Sequence, residues 1–253
     1  MSTGVISQNL LRVRERIAAA AQRAGRDPAG VTLVAVTKSF PVETVLAGYA
    51  AGLRDFGENR PEEGAEKVPL VNAAVHGPRP AWHMVGHVQS RKAALTVAHF
   101  DVIHSVDRLK IARRLSAFAV EAGRVVPVLL EVNISGEASK SGFLLDRWRE
   151  DREQREGFFA ACAEVLALPG LQVRGLMTIA PLADDPRSVR PAFASLRALR
   201  DTLSGRFPTA DWHELSMGMS DDFEIAVEEG ATMVRIGRAI FGPRPAPALS
   251  PVP

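Results

Sequence analysis

The sequence predicts an α/β protein of the (β/α)8 TIM-barrel class. Eight strand-like runs recur along the 253 residues, and the segment between each pair leaves room for a helix. The clearest runs are apolar without strict alternation, which is typical of parallel strands buried on both faces. Eight such alternations in a chain of one-domain length favour a closed barrel over an open doubly wound sheet.

An N-terminal helix comes first, because Leu10, Val13 and Ile17 recur at helical spacing and form one apolar stripe. The strands are predicted at Leu33–Lys38, Asp55–Glu58, Trp82–His87, Val102–Val106, Val126–Asn133, Val173–Ile179, His213–Met217 and Met233–Gly237. The helices between them are predicted at Val42–Ala51, Arg60–Val68, Gln89–Val97, Arg108–Glu121, Phe158–Leu168, Val189–Leu203 and Asp222–Glu229. Residues 1–242 are therefore assigned to a single barrel domain with an extra N-terminal helix.

Two segments are expected to lie outside the barrel. Residues 146–156 carry a dense run of mixed charges, which is typical of the solvated start of a helix. Residues 243–253 contain five prolines, which predicts an extended or disordered tail. Neither segment carries groups that suggest catalysis.

The composition excludes several classes of function. Thirty-one basic and 29 acidic side chains leave a formal charge of +2, which is too small to indicate a nucleic acid or an anionic membrane as partner. Cys162 is the only cysteine, so one chain can form neither a disulfide framework nor a thiolate zinc site. The N-terminus lacks the apolar core of a signal peptide, and no apolar run approaches the roughly 20 residues of a membrane span. We expect a cytoplasmic protein.

Lys38 is the first candidate functional residue, because it ends the apolar-rich first strand. The carboxyl ends of barrel strands form the ligand-binding face. Burial at that face lowers the pKa of a lysine amine and supplies the neutral nucleophile that imine formation requires. A lysine can also extend its long stem and keep its charge in solvent, so this position alone leaves both interpretations open.

Two glycine-containing loops follow the seventh and eighth predicted strands, at residues 215–222 and 235–242. The loops in these places often hold phosphate groups in barrels of this class. Gly218 would let backbone amides approach a ligand, and Ser220 could cap the following helix. The first loop can also be read as an N-capped helix entry alone, since Asp221 and Asp222 favour a helix start and repel a phosphate.

Several motifs in order carry a family resemblance. They are Val34–Lys38, Phe56–Asn59, Trp82–Ser90, Gly175–Thr178, Leu215–Ser220 and Arg235–Gly237. On these motifs the chain resembles the YggS/PROSC family of pyridoxal phosphate homeostasis proteins along nearly its whole length. The resemblance implies a barrel like the N-terminal domain of alanine racemase, of fold type III, which binds pyridoxal 5′-phosphate. It also implies an internal aldimine on Lys38 and a role in intracellular vitamin B6 homeostasis without established catalytic turnover.

The resemblance also implies a set of cofactor-binding residues. They are Lys38, Asn59, His83, Ser216, Met217, Ser220, Arg235, Gly237 and Arg238. Ser216, Ser220 and Gly237 would contact the phosphate. Arg235 would face the pyridine nitrogen, and Asn59, His83 and Met217 would line the ring pocket.

Two positions depart from the family pattern. Arg238 stands where a small hydroxyl residue is common, and its guanidinium could pair with the phosphate or point to solvent. Arg60 and Pro61 stand where an aromatic residue commonly follows the Gly-Glu-Asn motif, so the rim there could be more open.

The candidate residues favour a cofactor carrier over an enzyme. An arginine at the pyridine nitrogen stays protonated and donates a hydrogen bond without giving up its proton, which leaves the cofactor a weak electron sink. Racemisation needs a second acid or base, but Tyr49 is the only tyrosine and lies in a predicted helix. We therefore assign no catalytic residue. A pyridoxal phosphate-dependent racemase and a cofactor-free lysine aldolase remain alternatives.

The partners that follow are the cofactor and, as possible recipients of it, pyridoxal phosphate-dependent apo-enzymes. A monomer or weak dimer is expected. His83 and His87 are four residues apart, but they fall where a strand turns into a loop and lack the glutamate of a zinc helix motif. We therefore predict no metal site.

Overall fold

The structure is a computed structural model that describes residues 3–181 and 185–243. Within these ranges, eight parallel strands form the barrel. They are β1 Thr32–Val36, β2 Asp55–Glu58, β3 Ala81–Met84, β4 Val102–Val106, β5 Val126–Asn133, β6 Leu171–Met177, β7 Glu214–Ser216 and β8 Met233–Ile236. Each strand pairs with the next in chain order, and β8 pairs with β1, so the sheet closes and the predicted barrel is confirmed.

The helices alternate with these strands as predicted. They are α1 Thr3–Arg23, α2 Val42–Ala50, α3 Pro61–Ala74, α4 Ala93–His99, α5 Leu109–Glu121, α6 Arg152–Leu166, α7 Arg190–Arg206, α8 Phe223–Glu228 and α9 Arg238–Phe241. Three short 3-10 turns lie at Pro28–Gly30, Ser90–Lys92 and Pro186–Val189. An additional two-residue strand, Phe143–Leu144, pairs with the end of β5 and was not predicted.

Helix α3 is longer than its predicted span, which ended at Val68. The observed helix continues through Pro69 to Ala74. Pro69 is exposed and cannot donate a backbone hydrogen bond, whereas Val68 and Val71 are buried on the side of the helix that faces the core. The free energy gained by packing that apolar side exceeds the cost of the one missing backbone hydrogen bond.

The charged run at residues 146–156 lies partly in helix α6. The carboxylate of Asp151 caps the helix by accepting a hydrogen bond from the Gln154 amide at 3.0 Å, and the helix begins at Arg152. The second half of the run is therefore the predicted helix start. The proline-rich tail at 243–253 lies outside the described residues apart from Pro243.

Helix α1 packs against α2, α8 and α9, beside the seam where β8 meets β1. Its buried side includes the predicted stripe of Leu10, Val13 and Ile17. The side-chain amide of Asn9 donates a hydrogen bond to the Ile240 carbonyl at 2.8 Å. The extra N-terminal helix is thus part of the packed barrel and not an appendage.

Candidate functional site

A cavity of about 500 Å³ opens at the carboxyl-terminal ends of β1 and β8. Six of the nine predicted site residues line it, namely Lys38, Asn59, Ser220, Arg235, Gly237 and Arg238. The apolar part of its wall includes Val36, Phe40, Val85 and Ile179, which the sequence did not single out. The volume lies in the range of small-molecule sites.

Three predicted site residues, His83, Ser216 and Met217, do not line the cavity. Met217, directly after β7, is buried in the hydrophobic core, because successive side chains of an extended chain point to opposite faces and Ser216 points to the barrel interior. Ser216 and His83 both face the barrel interior below the cavity, where each is hydrogen-bonded to His104. The alternation of side chains was the signal in the sequence that Ser216 and Met217 point to opposite faces.

The sequence predicted Lys38 at the end of the first strand, but it lies in a tight turn after that strand. Strand β1 ends at Val36, and the Phe40 amide donates a hydrogen bond to the Thr37 carbonyl at 3.0 Å. Ser39 has a φ of 64°, in the left-handed region that favours glycine. The turn places Lys38 in the cavity wall two residues beyond the strand end.

A buried charged cluster secures this turn. The amine of Lys67, on α3, donates hydrogen bonds to the Thr37 carbonyl at 2.8 Å, to Glu58 Oε1 at 3.0 Å and to Glu63 Oε1 at 2.6 Å. The Glu63 carboxylate also accepts a hydrogen bond from the Ser39 amide, and the Thr37 hydroxyl donates to Glu58 at 2.7 Å. Both neighbours of the cavity lysine are therefore held by one cluster, which the sequence reasoning missed.

Glu58 is the most deeply buried carboxyl group of this cluster. It is fully buried, and burial raises its pKa to about 7 although the nearby Lys67 opposes the shift. Its second carboxylate oxygen has no hydrogen-bond partner among the described residues. The cluster could have been predicted from Lys67, because this charged residue lies on the same buried side of α3 as Gly64, Val68 and Val71.

Asn59 reaches the cavity because the chain packs closely at Gly86. A side-chain carbon at Gly86 would lie 2.3 Å from the Asn59 carbonyl oxygen, so only glycine fits. Gly218 is needed for a similar reason in the loop after β7. Its φ is 94°, and an added carbon would lie 2.5 Å from Cβ of Ala226 on α8.

Arg235 lies at the inner end of the cavity with 5 % of its surface exposed. Its guanidinium donates to the Ser216 carbonyl at 2.7 Å, to the Ser216 hydroxyl at 2.6 Å and to the Thr178 carbonyl at 2.8 Å. Burial lowers its pKa to about 10, while Glu131 and Asp222 act in the opposite direction. The group remains a cation and a hydrogen-bond donor near neutral pH.

Glu131 is a second buried carboxyl group near Arg235. Burial raises its pKa to about 7, Asp107 adds to this, and Arg235 and Arg108 oppose it. It is 4 % exposed, and one of its oxygens has no hydrogen-bond partner in the described part of the chain. Near neutral pH it is therefore partly protonated.

The outer rim of the cavity carries the phosphate-site candidates. The guanidinium of Arg238 is paired with the Asp221 carboxylate, and both side chains are largely exposed. Arg238 therefore forms a solvent-facing ion pair at the rim of the cavity. The Ser220 hydroxyl accepts a hydrogen bond from the Ala239 amide at 3.3 Å.

The residues that line the cavity fit pyridoxal 5′-phosphate. Lys38 offers a primary amine for an aldehyde, and the apolar walls suit a flat ring. Lys38, Arg235 and Arg238 bring three basic side chains against the single carboxylate of Asp221, a balance that suits a phosphate. Within residues 3–181 and 185–243, no cluster of three or more His, Cys, Asp or Glu side chains is arranged to hold a metal.

The chain has clear relatives. A profile of the alanine racemase N-terminal domain family matches residues 8–245. The chain is 43% identical over 242 residues to a pyridoxal phosphate homeostasis protein of Vibrio alginolyticus, with 94% of this chain and 97% of that one covered. It is 45% identical over 245 residues to the protein of the same name from Pseudomonas aeruginosa, with 96% and 97% covered.

Solved structures show the same similarity. PipY of Synechococcus elongatus, with pyridoxal phosphate bound, is 35% identical and superposes with a TM-score of 0.78 over 94% of this chain and 100% of its own. An alanine racemase of Clostridium difficile is 15% identical, with a TM-score of 0.69 over 96% of this chain and 57% of its own. Because the racemase is only 15% identical, its similarity to this chain shows the fold alone.

Proposed function

The chain belongs to the family of pyridoxal phosphate homeostasis proteins, whose barrel is that of the alanine racemase N-terminal domain, and we propose that it binds pyridoxal 5′-phosphate in the cavity at the mouth of this barrel. Its role is the intracellular homeostasis of that cofactor. The observation that carries the proposal is the position of Lys38 in the wall of a cavity that Arg235 and Ser220 also line.

When bound, pyridoxal 5′-phosphate supplies an aldehyde that condenses reversibly with a primary amine. Lys38 supplies that amine. The turn at Thr37–Phe40 fixes its backbone, and Lys67 and Glu63 hold the two residues on either side of it. The protein therefore presents the amine at one place in the cavity wall, which lowers the entropy lost on binding.

The remaining residues divide between phosphate and ring. The Ser220 hydroxyl, the Gly237 backbone and the positive charge of Arg238 would hold the phosphate, while Asn59 would contact the ring. His83, Ser216 and Met217 are not proposed as direct contacts, because their side chains lie outside the cavity.

Arg235 would donate a hydrogen bond to the pyridine nitrogen. Because its pKa, lowered by burial, is still about 10, it keeps its proton and does not protonate the ring. The ring then withdraws electrons weakly, which favours storage of the aldehyde over turnover of amino acids. This chemistry supports a carrier whose cofactor leaves by attack of water or an incoming amine, with pyridoxal phosphate-dependent apo-enzymes as recipients.

The position of Tyr49 argues against the racemase alternative. It is the only tyrosine of the chain, and its hydroxyl donates a hydrogen bond to the Pro78 carbonyl at 3.0 Å, while its ring stacks against Arg54. It does not line the cavity and so cannot serve there as the second acid or base. The lysine aldolase alternative loses its support because the family relatives are named for pyridoxal phosphate.

We place the protein in the cytoplasm as a monomer or weak dimer. The buried Cys162 is the only cysteine, and burial raises the pKa of its thiol, as expected of an inert side chain in a reducing compartment. No helix in the described ranges is both long and apolar enough to cross a membrane.

Titration of the purified protein with pyridoxal 5′-phosphate tests the proposal. We expect a saturable absorbance change in the near-visible range, which Lys38→Ala abolishes while the far-ultraviolet circular dichroism stays unchanged. Lys140→Ala is the matched control, because Lys140 lies in the loop after β5 and binds Glu137 at 2.6 Å outside the cavity. An unchanged absorbance in Lys38→Ala would refute the assignment.

A further inference from the structure

A continuous line of hydrogen bonds crosses the interior of the barrel below the cavity. Asp55 Oδ1 lies 3.1 Å from His83 Nε2, and His83 Nδ1 lies 2.9 Å from His104 Nε2. His104 Nδ1 lies 2.8 Å from the Ser216 hydroxyl, which accepts from Arg235 at 2.6 Å. The line therefore joins a partly exposed carboxylate at the amino-terminal end of β2 to the arginine of the cavity.

Charge and burial fix the direction of these bonds. Asp55 as a carboxylate can only accept, so His83 Nε2 carries a proton. His104 is 0 % exposed, and burial lowers its pKa well below the usual value, so its ring is neutral and carries one proton. The Ser216 hydroxyl accepts from Arg235 and donates its own proton to His104 Nδ1, so the one proton of His104 lies on Nε2 and is donated to His83 Nδ1.

The Ser216 hydroxyl therefore has its proton and one of its two lone pairs engaged inside the barrel. Its proton points to His104, and a lone pair accepts from Arg235, which cannot act as an acceptor itself. Ser216 is 0 % exposed. A hydroxyl held in this way does not reach a phosphate at the rim, where Ser220 and Gly237 lie.

Arg235 is held along one side of its guanidinium. Its contacts with the Ser216 carbonyl, the Ser216 hydroxyl and the Thr178 carbonyl use three of the five N–H groups of an arginine. Two of the three acceptors are backbone carbonyls, and the Ser216 hydroxyl is the one side chain among them. The side-chain contact that orients the guanidinium therefore depends on a hydroxyl whose own orientation depends on His104.

We propose that Asp55, His83, His104 and Ser216 form a directed hydrogen-bond relay whose role is to position Arg235 for the ring of the bound cofactor. The inference rests on the proposed function and deepens it. Ser216 then acts on the ring side of the cofactor through Arg235, and not on the phosphate. His104 and His83 are positioning residues that touch no part of the ligand.

Two ligands separate ring effects from phosphate effects. Pyridoxal lacks the phosphate, so a residue that acts on the ring weakens pyridoxal and pyridoxal 5′-phosphate by the same factor. We expect Ser216→Ala to raise both dissociation constants about tenfold, as for loss of one hydrogen bond to a charged group. Ser220→Ala, the matched control, should weaken pyridoxal 5′-phosphate alone.

Substitutions at His104 test the relay one step further from the ligand. In His104→Asn the side-chain oxygen can still accept from Ser216, so binding of both ligands should stay within about threefold of the wild type. His104→Leu removes the acceptor and should reproduce the Ser216→Ala effect. A purely structural role would lower the melting temperature of these variants without changing either dissociation constant, and that result would overturn the proposal.

Nitrogen-15 NMR of the ligand-free wild type tests the relay independently of binding and of any variant. We expect both His83 and His104 to carry their proton on Nε2. A proton on Nδ1 of His104 would overturn the proposal, as would a Ser216→Ala effect confined to pyridoxal 5′-phosphate. Failure of the wild type to bind either ligand would instead refute the proposed function and leave the tautomers to decide the relay.

Discussion

Lys38 owes its place in the cavity to a buried lysine on another element. Lys67 is 6 % exposed, and its amine bridges the backbone of the turn to two carboxylates. A buried charge is expensive unless it is paired and hydrogen-bonded, so each member of the cluster depends on the others. The position of Lys38 therefore depends on this cluster.

Lys67→Met should destabilise the protein by about 3–5 kcal/mol, because it leaves buried carboxylates without their cation. Urea unfolding measures the change. Lys92→Met is the matched control, since Lys92 pairs with Glu62 on the surface and should change stability by about 0.5 kcal/mol or less. Adding Glu58→Gln to Lys67→Met should recover part of the loss, because the amide carries no charge to bury. A Lys67→Met variant as stable as Lys92→Met would contradict this account of the cluster.

Glu131 makes stability depend on pH. Burial raises its folded-state pKa from 4.5 to about 7, so folding favours its protonated form. The stabilisation is fully present below pH 4.5 and is lost as the pH rises through about 7, by about 3 kcal/mol at most. Glu131→Gln should reduce this fall in urea unfolding of the ligand-free protein between pH 5 and 8, leaving the part due to Glu58, whose pKa is also raised to about 7, whereas Glu43→Gln, at an exposed site, should not change it. Equal slopes in Glu131→Gln and the wild type would refute the assignment.

At the scale of elements, the loop between β7 and α8 is shaped by Gly218. Its positive φ turns the chain so that the Gly218 carbonyl accepts from the Arg235 amide at 2.9 Å and Ser220 reaches the cavity. A side-chain carbon would strain the backbone and collide with Ala226 on α8. The loop and the helix must therefore both shift to admit any other residue.

Gly218→Ala should cost about 2 kcal/mol, which thermal unfolding can measure. Gly157→Ala is the control within the same protein. Gly157 lies exposed in α6 with nothing within 4 Å of the added carbon, so alanine there should stabilise by about 0.5–1 kcal/mol. Similar effects at the two glycines would contradict the role given to the loop.

Elements and side-chain directions were predictable from the sequence to different degrees. Strand-like runs separated by helical patterns located all eight barrel strands, and the clearest runs were apolar because those strands are buried on both faces. The turn at Lys38 was not visible, since a positive φ at Ser39 has no signature in a serine. The direction of Ser216 and Met217 was available from strand alternation, but roles taken from a family motif ignored it. Lys67 could have been found as the charged residue within the apolar stripe of α3.

At the scale of the whole molecule, barrel closure assembles the site. Val34 on β1 lies opposite Arg235 on β8, so the first and last strands carry the lysine turn and the ring-facing arginine side by side. Helix α1 packs against α8 and α9 near this seam. Residues some 200 positions apart in the sequence thus form one cavity only in the closed barrel. The sequence predicted the closure, whereas the relay below the cavity depends on which side chains meet inside it.

Attachment of pyridoxal 5′-phosphate to Lys38 can be tested directly on the loaded protein. Borohydride reduction of the loaded protein makes that attachment permanent, and peptide mass mapping then identifies the modified lysine. We expect one modification, on the peptide that contains Lys38, and none on the peptides of Lys67 or Lys140. A modification on another lysine with Lys38 unmodified would contradict it.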